Sequence, residues 1–100
     1  MGFRIDCKED IHLSALEDCP ISVQREFRDA LAGLKQSSVK SVKRAEFDFL
    51  SRIDGYPQYR IEASDNGTEY VILFEIERTQ IGQQNIIKIL SIGKHNDIID

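Results

Sequence analysis

Cysteine is scarce in this chain, and the two that occur, Cys7 and Cys19, form no CxxC and belong to no Cys/His cluster with metal-ligand spacing. No metal or other cofactor is assigned. The pair leaves one disulfide open, but a lone pair without a secretory signal is more often two reduced, partly buried thiols. Long apolar runs are also missing: nothing approaches the roughly 20 residues of a membrane span. Asp6, Glu9 and Asp10 precede any sustained apolar stretch, unlike a signal peptide, so a cytoplasmic location without membrane partners is expected. An excess of positive charge is the third absence. With 13 basic against 17 acidic side chains and a net charge of −4, strong general binding to nucleic acid is disfavoured, because such binding is driven by neutralising phosphates. There is no internal repeat and no low-complexity segment.

What is present suits one small globular domain spanning residues 1–100. The 41% apolar and 30% charged side chains supply enough apolar area to offset chain entropy, and 100 residues hold a single core. Charge is unevenly spread. Residues 1–34 carry four basic and seven acidic side chains, residues 35–60 six and three, and residues 61–100 three and seven. The middle alone is positive. Its Lys35, Lys40, Lys43, Arg44, Arg52 and Arg60 read either as a local anion-binding patch or as a solvated loop.

Periodicity orders the elements. Phe3, Ile5 and Cys7 alternate with Arg4, Asp6 and Lys8, the pattern of a half-buried strand over residues 3–8. A short helix is expected from Glu9 to Glu17, with acidic residues at its positive end and Ile11, Ala15 and Leu16 facing inward. Pro20 separates it from a second helix, for which Ser22 is the expected N-cap. In that helix Val23, Phe27, Ala30, Leu31 and Leu34 fall on one face, and Gln36-Ser37-Ser38 ends it. The segment to Asp54 is ambiguous, with Phe47, Phe49 and Leu50 expected on the core. Gly55-Tyr56-Pro57 marks a turn. Residues 58–77 read as a hairpin around Asp65-Asn66-Gly67, with Tyr59, Ile61 and Ala63 on one face and Arg60, Glu62 and Ser64 on the other. A second reversal at Thr79 to Gln84 leads into the strand Asn85 to Ile92. The order β-α-α-β-β-β predicts an α+β fold, two helices packed on one face of a mostly antiparallel four-stranded sheet.

That last strand runs into Gly93-Lys94-His95. A strand end is held by ladder hydrogen bonds, and Gly93 can turn the chain to aim Lys94 and His95 outward as proton-handling or phosphate-contacting groups. The alternative is a strand that simply ends in polar residues.

The element order and several local matches resemble the RelE/ParE toxin superfamily of bacterial toxin–antitoxin systems, over nearly the whole chain. Pro20-Ile21-Ser22-Val23-Gln24 opens a helix that looks like the family's amphipathic second helix before a basic loop. Gly55-Tyr56-Pro57-Gln58-Tyr59-Arg60-Ile61 is similar to the family segment in which Gly-Tyr opens a strand ending Arg-Ile. Ile92-Gly93-Lys94-His95 resembles the closing strand, where Ile/Val-Gly precedes a basic residue.

The resemblance implies a RelE-like fold and a ribosome-dependent messenger RNA endonuclease or, in the ParE branch, a gyrase inhibitor. Either is neutralised by a partner antitoxin, and a homodimer is left open. A third reading is a diverged interaction module that no longer cuts RNA. RNA cleavage by its own 2′-hydroxyl needs a base for that proton, cations for the phosphorane and an acid for the leaving oxygen, with no metal. The resemblance implies Glu46 as general base, Arg60 on the phosphate, and Lys94 and His95 as cation or general acid. Lys40, Lys43 and Arg44 would form the RNA-binding loop. Three features depart from the family pattern. Glu69 and Tyr70 stand where an arginine opens the third strand, the C-terminal tyrosine aligns with Ile98 or Ile99, and the pI of about 5.1 is acidic.

Overall fold

The structure is a computed structural model that describes residues 3–7, 9–37, 42, 49–52, 58–77 and 85–98. Its first element is β1, Phe3–Asp6. A wide, π-type helical turn over Glu9–Leu13 then feeds α1, Ser14–Glu17, and α2 covers Ile21–Lys35. Next come β2, Leu50–Arg52, β3, Gln58–Asp65, β4, Thr68–Glu77, and β5, Asn85–Lys94, followed by a short helix α3, His95–Ile98.

The described strands form one five-stranded sheet in the order β1-β5-β4-β3-β2. Only β1 and β5 run parallel, so the sheet is mixed and mostly antiparallel, and the α+β class stands. The expected count of four strands is corrected by β2. Three residues are too short to show alternation, so the strand could not be read from its pattern. It is held by pairing Leu50 with Ile61 and Arg52 with Tyr59, and by Glu62 N–H donating to Phe49 O at 3.0 Å.

The hairpin forms as its turn chemistry demands. Asn66 (φ 50°) and Gly67 (φ 80°) occupy the left-handed region that a two-residue loop requires at both positions, residues for which Asn and Gly are suited. That loop fixes the β3–β4 register, pairing Asp65 with Thr68 and running to Gln58 with Glu75. Tyr59, Ile61 and Ala63 therefore share a face with Tyr70, Ile72 and Phe74. The directly opposed Tyr59 and Phe74 rings stack at 5.5 Å with planes 21° apart.

Helix α2 covers that face. Val23, Phe27, Ala30 and Leu34 are buried and Leu31 partly so, the stripe expected from the spacing. They join Phe3, Leu16, Leu50, Ile61, Ile72, Phe74, Ile87 and Ile89 in one hydrophobic cluster. Ser22 is not the N-cap. The helix begins at Ile21, two residues earlier than a Ser22 cap would give, behind Pro20, whose fixed φ of −56° suits a helix entry. Ser22 Oγ instead donates to Asp65 Oδ1 at 2.7 Å, tying the start of α2 to the hairpin tip. Gln24 Nε2 donates to the Glu17 and Cys19 carbonyls at 3.2 and 2.8 Å, closing the end of α1 against α2.

The first helical segment departs from expectation. A π turn accommodates more residues per turn than an α turn, which rotates the inward position along the chain. His12, 6% exposed, points in, while Ile11 is 56% exposed instead of buried. Leu16 is buried and Ala15 half-buried, as expected. β1 ends at Asp6, and Cys7 beyond it is exposed. Phe49 is half-buried and Leu50 buried, as read, whereas Phe47 and the turns at 55–57 and 79–84 lie outside the described residues. No described helix is long and apolar enough to cross a membrane.

Core substitutions should separate these contributions. Phe27→Ala, at a site with no exposure, should lower stability by about 3–5 kcal/mol in urea unfolding. Ile21→Ser, at a residue 74% exposed, should change it by about 0.5 kcal/mol or less.

Candidate functional site

The sheet has two faces, and the question is which proposed site residues share one. Arg60 and Glu62 alternate with the buried Tyr59, Ile61 and Ala63, so they stand on the face away from α1 and α2. Arg60 pairs across β4 with Leu73, and Leu73 with Ser91 on β5. That row defines the middle of the open face. Glu75 and Glu69 lie on the same face of β4, two residues from Leu73 and two from Val71 respectively.

Arg60 is held by its own strand. Its Nε lies 3.2 Å from Glu62 Oε1, with the two side chains 30% and 37% exposed. The N–H is not aimed well enough at that oxygen to bond it, leaving Arg60 Nε buried without a hydrogen-bond partner. Ser51 Oγ on β2 donates to the same Glu62 oxygen at 3.1 Å. The result is a Ser51–Glu62–Arg60 row across β2 and β3, in which the carboxylate partly neutralises the cation.

Lys94 and His95 lie elsewhere. β5 is not adjacent to β3, because β4 runs between them. Ladder spacings of ~4.8 Å between strands and ~3.3 Å between residues separate the backbones of Arg60 and Lys94 by about 14 Å. The face differs as well. Phe74 pairs with Ile89 but Leu73 pairs with Ser91, so Leu90 is an inserted residue, a β-bulge. The insertion reverses the alternation, bringing Ile92 and Lys94 to the helix-covered face, where Lys94 opposes Tyr70. The strand also runs two residues past Ile92, through Gly93 and Lys94.

Lys94 and His95 therefore border different clefts. Lys94 is exposed beside a cleft of about 220 Å³ lined by Ala15, Asp18, Cys19, Tyr70, Ile92, Gly93 and Asp97. His95 is half-buried beside Gly67, Thr68, Glu69 and Asn96 in another of about 270 Å³. Arg60 lines neither. α3 turns back on the open face, its Ile98 Cδ1 standing 3.2 Å from where a side chain on Gly93 would begin. Gly93 opposes Val71, which is fully buried. A side chain at 93 would press on Ile98, so glycine lets α3 close over the strand.

Of the remaining proposed residues, Lys40, Lys43, Arg44 and Glu46 lie outside the described residues. Among the described residues no group of three or more His, Cys, Asp and Glu is placed to hold a metal ion. Both cysteines are free, Cys7 exposed and Cys19 buried. Burial, and then the neighbouring Asp18 carboxylate, push the Cys19 thiol above its ordinary value of 9.0. Its Sγ donates to Ala15 O at 3.4 Å.

One functional-looking contact escaped sequence reading. His12 Nε2 lies 3.2 Å from Leu90 O, joining the π turn to the bulge. A buried polar side chain inside an apolar helix pattern was the available signal, and the widened turn hid which residue would face in.

No protein-family model, no curated protein and no solved structure matches this chain.

The Cys19 shift has a definite sign. A folded-state value raised above the unfolded one favours folding fully below the unfolded value, and that contribution is lost as pH rises through the folded value. Stability measured by urea unfolding should therefore fall as pH rises past about 9, and Cys19→Ala should flatten that decline while lowering stability at neutral pH.

Proposed function

We propose that this chain is a toxin-like protein related to the RelE/ParE superfamily, and that it acts by holding a protein target instead of cutting RNA. The family link rests on the motifs at Pro20–Gln24, Gly55–Ile61 and Ile92–His95. The α+β sheet with α1 and α2 on one face is compatible with a RelE-like arrangement. The observation that carries the non-catalytic part is the separation of Arg60 from Lys94 and His95 by an intervening strand and, for Lys94, by the thickness of the sheet. General acid–base chemistry needs its groups within hydrogen-bond reach of one phosphate, and about 14 Å between backbones on opposite faces does not supply that for the Arg60–Lys94 pair.

Electrostatics favours the same reading. Arg60 faces Glu62 on its own strand, and Glu69 and Glu75 stand on the same sheet face. Among the described residues of this face, Arg4, Arg60 and Lys88 are outnumbered by Asp6, Glu62, Glu69, Glu75 and Glu77, which opposes the approach of a phosphodiester. In the ParE branch the implied target is DNA gyrase, with an antitoxin as the neutralising partner.

RNA cleavage is the second reading, and one observation favours it. Arg60 stands on the open face with its side chain 30% exposed, and a guanidinium there can donate charge-assisted hydrogen bonds to a phosphate. Ribosome-bound messenger RNA would then be the substrate, with Glu46 as base and Lys40, Lys43 and Arg44 along the strand of RNA.

Induced expression of the chain should arrest growth while messenger RNA stays intact by primer extension. An Arg60→Ala, His95→Ala double variant that keeps the parent's circular dichroism should arrest growth to within about a factor of two of the parent. Cleaved messages with the parent and loss of arrest in the double variant would establish the nuclease reading instead. No growth effect with either chain would remove the toxin assignment.

A further inference from the structure

The cleft beside Lys94 gathers charges of both signs around an apolar patch. Its residues come from three places. Ala15 belongs to α1, and Asp18 and Cys19 to the chain that ends it. Tyr70 and Ile92 stand on the helix-covered face of the sheet, and Lys94 and Asp97 flank the passage from β5 into α3. The ladder register fixes one contact outright: Lys94 lies directly opposite Tyr70, which starts the two side chains about 5 Å apart. The residue inserted at Leu90 is what brings Lys94 to this face.

These charges do not satisfy one another. Among the described residues, Lys94 forms no ion pair with Asp18 or Asp97, whereas Arg60 has Glu62 at 3.2 Å. The Tyr70 hydroxyl likewise has no hydrogen-bond partner among them. Cys19, buried and with its thiol pushed above its ordinary value, stays neutral at physiological pH and adds apolar surface beside Ile92 and Ala15.

Size and sign together select a ligand. About 220 Å³ falls below the roughly 300–1,000 Å³ of pockets for drug-sized molecules, so the occupant is small. A simple anion attracted by Lys94 would meet Asp18 and Asp97, and a simple cation attracted by those carboxylates would meet Lys94. A molecule carrying both charges gains at each end.

We propose that this cleft binds a free α-amino acid with an apolar side chain. Lys94 and the Tyr70 hydroxyl donate to its carboxylate, its ammonium donates to the Asp18 and Asp97 carboxylates, and its side chain covers Ile92 and Cys19. The inference stands on this cleft alone, whether or not the chain arrests growth.

The test titrates L-leucine into the full chain and follows backbone amide NMR. Weak but saturable binding is expected, with shifts concentrated over residues 15–19, at Tyr70 and over residues 92–97. N-acetyl-L-leucine lacks the ammonium and L-leucinamide lacks the carboxylate, so each should bind about tenfold or more weakly. Lys94→Gln should weaken leucine by a similar factor, and so should the Asp18→Asn, Asp97→Asn pair. All three positions are exposed, so the variants should keep the parent's spectrum elsewhere. The proposal is overturned if leucine does not saturate or if its shifts lie elsewhere. Equal binding of N-acetyl-L-leucine would reveal capture of a carboxylate alone, as at a chain terminus, and equal binding of L-leucinamide capture of an amine alone. Either result overturns it, as does unchanged leucine affinity in Lys94→Gln or in the paired variant.

Discussion

The pairing of β4 with β5, broken once at Leu90, decides which side chains this protein can bring together. Above the bulge, Ile87 and Ile89 face the core with Ile76 and Phe74. Below it, Ile92 does so with Ile72. Two isoleucines three residues apart can both face inward only if one residue is inserted between them. Burial of Ile89 and Ile92 thus accompanies a reversal of everything downstream, carrying Lys94 to the helix side of the sheet. His12 reaches the inserted residue's carbonyl, which ties the N-terminal helical turn to the same irregularity. Core packing on β5 and the distribution of charge at its end are one constraint, not two.

How far the sequence discloses this depends on where information is local. α2 was legible because five apolar positions repeat at helical spacing over fifteen residues, a signal long enough to survive an error at the start. The hairpin was legible because Asn66-Gly67 suits one backbone geometry well, and that geometry sets the register of eight residue pairs. Where the deciding partner is distant, local reading failed. Ser22 looks like a cap until Asp65, 43 residues away, supplies a better bond. β2 is three residues long and exists because β3 offers it an edge.

The proposed catalytic set shows the same limit. Alternation carried through β5 without interruption would place Lys94 on the face of Arg60, opposite Glu69. Only the Leu90 insertion corrects that placement, and Lys88-Ile89-Leu90-Ser91-Ile92 contains no glycine or proline to announce a bulge. Arg60 itself was placed correctly, on the outward face. Its pairing with Glu62, two residues along the same face, was already written in the sequence, and it is what turns a candidate phosphate ligand into half of a local ion pair. Such exposed pairs add about 0–1 kcal/mol to stability. The carboxylate therefore matters more for what it keeps from Arg60 than for what it adds to the fold.

The parallel seam between β1 and β5 ties the start of the sheet to its end, with Phe3 beside Asn85 and Asp6 beside Lys88. Contacts that span most of a chain close late, since the intervening loop loses entropy before any pairing rewards it. During synthesis β1 leaves the ribosome first and its partner last. For most of that interval the ladder groups of β1 have no mate, and α2, which packs on β1 and arises soon after it, can shelter Phe3 and Ile5. A nascent chain stalled before Asn85 would hold a helix and hairpin with an unfilled slot beside β4, open to the matching strand of another copy as readily as to its own.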